Sequence, residues 1–117
     1  MSAVDPLILQ QLADDMPPAA LRELLATFQA DLARLASELE AACGRGAEDA
    51  CRELNHAIAG AAAGMGALRL EQAARAAMQP EDAPDHEARV RAVLDEVGPV
   101  QDALRALAVP SEGTPKT

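Results

Sequence analysis

Residues 55–70 read NHAIAGAAAGMGALRL. Between His56 and Leu68 every side chain except Ile58 and Met65 is alanine or glycine. A glycine inside a helix costs roughly 1 kcal/mol relative to alanine, so three of them near one histidine need a physical reason. Gly64 and Gly66 supply one, because together they read as a turn. That turn divides the stretch into the end of one helix and the start of the next.

Upstream, the third helix is expected from about Ala47 to Ala63. Its apolar stripe is Ala47, Cys51, Leu54, Ile58 and Ala61, continuing to Met65, at the 3–4 spacing of a bundle helix. Before it, MPPAALRELLATFQADLARLASELEAACGRG gives the longest element. Leu21, Leu24, Leu25, Phe28, Leu32, Leu35 and Leu39 form its seam, and Gly44 and Gly46 stop it near Cys43. At the N-terminal side, Asp5-Pro6 is an N-cap followed by proline at the first helical position, predicting a short helix to Asp15. Downstream, ALRLEQAARAAM is a fourth helix and QPEDAPD a surface loop. DHEARVRAVLDEVGPVQDALRAL is a fifth, with a stripe of Val90, Val93 or Leu94, Val97, Val100 or Ala103, Leu104 and Leu107; Gly98-Pro99 is expected to kink or split it. The tail 109–117, VPSEGTPKT, is expected to be disordered.

Composition agrees with an all-α domain. Of 117 residues half are hydrophobic, but Phe28 is the single aromatic and β-branched residues are scarce. Short connections between amphipathic helices predict an antiparallel up-down four-helix bundle with a short extra N-terminal helix, spanning residues 1–108.

The net charge of −9, without Trp or Tyr, argues against nucleic acid and against an anionic membrane surface. The N-terminal residues carry no basic segment and no long apolar run, so neither a signal peptide nor a membrane span is expected, and the protein is expected in the cytoplasm. Cys43 and Cys51 read as buried or half-buried thiols. With His56 they lack the four ligands of a metal site, so no metal is expected. His86, in the acidic junction PDHEAR, reads as solvated.

A helix advances about 100° per residue, so His56 faces away from the Leu54/Ile58 stripe. Its neighbours on that outer face are Arg52, Glu53, Ala59, Gly60 and Ala63. The last three form a shelf with no side chain longer than a methyl, on which a bulky partner can approach the imidazole. Neutral imidazole is a competent nucleophile near neutral pH. A lone surface histidine in an alanine-rich helix is more often incidental.

The pattern HAIAGAAAGMGALRLEQAARAA resembles the signature of histidine-containing phosphotransfer (HPt) domains. That signature has an aliphatic residue two after the histidine, a lysine three after and a glycine four after. A second glycine follows ten after, then an ALRL-like helix start. Here His56, Ile58, Gly60, Gly66 and Ala67–Leu70 stand at those offsets, and the resemblance extends over about residues 4–108. It implies that His56 is the phosphoacceptor, attacking through Nε2. Gly60 would then leave room for the phosphoryl group, Ala63 would lie on the docking face and Gly66 would serve the turn.

It also implies a monomeric carrier rather than an enzyme, exchanging phosphoryl groups with receiver domains and a sensor histidine kinase. The carrier would have no cofactor of its own, Mg²⁺ coming from the receiver. At one position the chain departs from the pattern: the family's lysine is Ala59. Arg52, one turn earlier, is a candidate replacement cation, against a solvated ion pair with Glu48 or Asp49. A glutamine that the family carries late in the fourth helix falls here on Met78, with Gln79 one position away. Two rivals remain: a degenerate module that binds receivers with weak or no transfer, and an adaptor bundle in which His56 is incidental.

Overall fold

The computed structural model describes residues 3–79 and 85–108, and among these it contains five helices and no strand. They are α1 (Pro6–Asp15), α2 (Pro18–Gly44), α3 (Glu48–Gly64), α4 (Leu68–Ala76) and α5 (His86–Ala108). The expected tail 109–117 and most of the expected 79–85 loop lie outside the described residues.

Each boundary follows from local chemistry. Asp5 caps α1, its carboxylate accepting from the Leu7 amide at 2.9 Å, with Pro6 at the first helical position. Helices α2 and α3 end in the same way. The Ala47 amide donates to the Ala42 carbonyl at 2.9 Å and the Gly46 amide to the Cys43 carbonyl at 3.2 Å. Twenty residues later Ala67 donates to Ala62 at 2.8 Å and Gly66 to Ala63 at 3.3 Å. This paired closure needs a left-handed residue after the helix, and Gly46 (φ 69°) and Gly66 (φ 73°) provide it. Helix α4 stops at Ala76, two residues short of the expected Met78, where the Arg89 guanidinium donates to the Ala76 carbonyl at 3.2 Å. Helix α5 runs through Gly98-Pro99 as a single element and is not split. Pro99 is exposed, where water can take up the carbonyl that its missing N–H leaves unpaired.

In cross-section the molecule measures 22 × 22 Å against a length of 55 Å. Two helices of about 10–12 Å diameter fit along each short side, giving a square of four. Helix α2 packs against α3 and α5, and α4 packs against the same two, so chain order follows the square around. This is the expected up-down bundle, with α1 laid against α2. The Asp5 amide ties the start of α1 to the α3–α4 turn by donating to the Gly66 carbonyl at 2.8 Å.

The core is leucine, valine and alanine: Leu25, Leu32, Leu35 and Leu39 of α2, Leu70 and Ala74 of α4, and Val90, Val93, Val100 and Leu104 of α5. Leu107, expected in the stripe, is half exposed. In α3 the buried line is Cys51, Asn55, Ile58, Ala59 and Ala62, while Leu54 and Ala61 are only half-buried. The stripe is therefore rotated from the expected one toward Asn55 and Ala59. Helix α3 is flanked by α2 on one side and α4 on the other, and the α4 side closes over positions filled by small residues.

Candidate functional site

His56 stands at the midpoint of α3, eight residues after its start and eight before its end. Its side chain is exposed, as the spacing predicts. Around the helix axis Ala63 lies about 20° from His56 and Gly60 about 40° away, and both are exposed. A Cβ built on Gly60 would meet nothing within 4 Å. Gly60 also has helical backbone, with no positive φ. Neither packing nor conformation requires glycine there, so the fold forgoes the roughly 0.5–1 kcal/mol that alanine would contribute at this position.

Ala59 corrects the expected shelf. It is fully buried, at 0% exposure, and belongs to the core rather than to the outer face. It lies about 60° from His56 on the side opposite Gly60, the side on which Asn55 and Ala62 are also buried. The cleared surface beside His56 is thus Gly60 and Ala63, bordered by exposed Arg52 and Glu53. Beyond Ala63 it continues into an apolar hollow lined by Val4, Pro6, Ile8 and Leu68. Leu68 is 60% exposed there, a large apolar side chain left in water. On the other flank a groove runs between Arg34 and Glu38 of α2, with Arg45 just after it, and Glu53 and Ala57 of α3.

Arg52 forms an exposed ion pair with Asp49 at 3.6 Å. This is one of the two solvated pairs weighed against a role as replacement cation. Gly66 does more than turn the chain. A Cβ on it would fall 2.9 Å from Asp5 Cβ and 3.0 Å from Ile8 Cγ1, so the start of α1 is packed directly onto it. Met78 is half-buried and Gln79 exposed, both beyond the end of α4.

Two residues take unexpected places. Asn55, beside His56 in sequence, is fully buried, and its amide nitrogen lies 3.8 Å from Cys51 Sγ. No periodic signal marks it, because a polar residue adds nothing to an apolar stripe. His86 is half-buried rather than solvated, with Nε2 3.9 Å from Cys51 Sγ. The α5 start packs on α2 and brings His86 beside Cys43 at the end of α2 and Cys51 at the start of α3, and no local pattern encodes that burial. Cys51 is buried and Cys43 half-buried, as expected, and the two are not disulfide-bonded.

Among the described residues no helix is long and apolar enough to cross a membrane. No match was found among curated proteins or among solved structures. The family model for the Hpt domain matches residues 23–107, a span containing all four bundle helices except residues 18–22 of α2 and the last residue of α5. An exposed histidine at the centre of α3 and a match over most of the length lead to one conclusion: the chain belongs to the Hpt domain family.

Proposed function

We propose that this protein is a phosphorelay intermediate in which His56 Nε2 accepts a phosphoryl group from a receiver-domain aspartyl phosphate and returns it to another. In each transfer one N–P bond is made as one O–P bond of the acyl phosphate breaks, or the reverse. The observation that carries the reading is Gly60. It leaves the helix surface open one turn beyond an exposed imidazole, at a position where the fold itself does not call for glycine. A receiver can therefore bring its aspartate in line with Nε2 without displacing a side chain. Positioning of this kind supplies much of the rate in phosphoryl transfer. The receiver contributes Mg²⁺ and the acidic pocket; this chain contributes the nucleophile and the clearance. It acts as a stoichiometric carrier in the cytoplasm, as a monomer, between a sensor kinase and receivers. Docking extends along Ala63 toward exposed Leu68, and the contact is small and transient.

A second reading is favoured by Ala59. Alanine is buried at the family's lysine position, and Arg52 is paired with Asp49, so neither of these two positions offers a dedicated cation for the phosphoryl group. Such a module would bind receivers with slow or no transfer. Incubation with a radiolabelled phospho-receiver separates the two. Acid-labile label on wild type, absent in His56→Gln, supports the carrier; receiver binding without label supports the second reading. Gly60→Gln and Ala63→Arg should each block labelling while leaving the helical content intact, and normal labelling in both would overturn the docking placement.

A further inference from the structure

We propose that Cys43, Cys51 and His86 form a thiolate–imidazole site for Zn²⁺ at the end of the bundle remote from α1. The three come from the last turn of α2, the first turn of α3 and the first residue of α5. One ligand atom from each lies within 4.8 Å of the other two, and Cys51 Sγ is 3.9 Å from His86 Nε2. In a tetrahedral zinc site, with Zn–S of about 2.3 Å and Zn–N of about 2.0 Å, a sulfur and a nitrogen ligand stand about 3.5 Å apart. The cluster therefore needs side-chain adjustments of an ångström or so, and no movement of helices.

The surroundings suit a metal better than a plain apolar core. Two thiolates and a neutral imidazole cancel the charge of a divalent ion, which a half-buried position requires. The Asn55 amide nitrogen sits 3.8 Å from Cys51 Sγ, an N–H donor placed where a thiolate would accept. Asn55 is fully buried, and this contact gives a buried polar side chain something to do. His86 Nε2 faces the sulfur and is the nitrogen placed to ligate, while Nδ1 is buried with no hydrogen-bond partner among the described residues. Binding exchanges protons for metal without redox change: Zn²⁺ displaces one proton from each thiol, forms two Zn–S bonds and one Zn–N bond, and leaves the fourth position to water. The ion would pin the α2–α3 connection to the start of α5, on a different face of α3 from His56 and about 7.5 Å along its axis.

The test uses the full chain, metal-free and reduced, titrated with Co²⁺ as a spectroscopic probe and then with Zn²⁺. Expected are one Co²⁺ per chain, thiolate-to-cobalt charge-transfer absorption with tetrahedral d–d bands, displacement by Zn²⁺, and a rise in Tm with added zinc. Cys43→Ser and His86→Gln alter half-exposed positions and should fold normally while binding at least about 10-fold more weakly. Cys51→Ser, at a buried site, is the third variant and should also lose the charge-transfer band. His56→Gln should bind metal as wild type does. The proposal is overturned if the wild type shows no charge-transfer band, or if Cys43→Ser and His86→Gln bind as tightly as wild type. It also fails if the site depends on His56, or if the chain persistently isolates with a Cys43–Cys51 disulfide and takes up no metal after reduction.

Discussion

Two glycines six residues apart should respond to the same substitution with opposite signs. Gly66→Ala places a methyl-bearing residue at φ 73°, which costs an L-residue about 1–2 kcal/mol. The new Cβ would also lie 2.9 Å from Asp5 Cβ and 3.1 Å from Ile8 Cβ. Neither atom is the free end of a flexible side chain, so the start of α1 must retreat. That retreat strains the 2.8 Å bond from the Asp5 amide to the Gly66 carbonyl, a bond with a net value of about 1 kcal/mol. The total is a loss of about 2–4 kcal/mol. Gly60→Ala meets open space on a regular helix and should gain about 0.5–1 kcal/mol.

Gly66→Asn refines the comparison: asparagine tolerates the left-handed region but keeps the Cβ, so it should recover only part of the loss. With no Trp or Tyr in the chain, urea unfolding is followed by far-UV circular dichroism, and variants are compared at equal m-values. A Gly66→Ala loss under about 1 kcal/mol would refute the packing of α1 on the turn. A destabilised Gly60→Ala would show that position 60 is structurally required, and the argument for functional clearance would fall with it.

Other expectations rest on single observations. Arg52→Ala should change stability by less than about 0.5 kcal/mol, because its 3.6 Å pair with Asp49 is exposed. It should also leave the phosphoryl-transfer rate within about twofold of wild type; a large fall in labelling rate would make Arg52 the substitute for the family lysine. Asn55→Leu should raise the stability of the metal-free protein by about 1–2 kcal/mol, since among the described residues the buried Oδ1 has no hydrogen-bond partner; destabilisation in urea would contradict this. The same variant should weaken Co²⁺ binding by about 10-fold, through loss of the amide facing Cys51 Sγ. Ala59→Lys should cost about 1–3 kcal/mol by overpacking a buried position, and a urea midpoint equal to wild type would show that the α3–α4 contact yields easily.

Much of the architecture was legible because it is set by neighbours in the chain. Asp5-Pro6 specifies a cap, Gly46 and Gly66 specify left-handed closures, and the leucines of α2 recur at helical spacing whatever packs on them. The exposure of His56 and the openness at Gly60 belong to the same class, since angular separation along one helix suffices to predict them. The positions where structure and spacing differ depend on which helix lies on each flank. The spacing places Ala59 on the outer face and gives Asn55 no signal, because alanine and glycine give a hydrophobic stripe little contrast. The centre of burial on α3 was then drawn toward Leu54, until α4 closed over the other side. His86 is a sharper case. Its burial, and its meeting with two cysteines 35 and 43 residues earlier, require the end of α2 and the starts of α3 and α5 to converge. The sequence by itself determined the helices, their order and the residue that faces solvent at the centre of α3. Only the tertiary structure decided what lies under each small side chain and which distant ligands share one corner, because those depend on packing between helices.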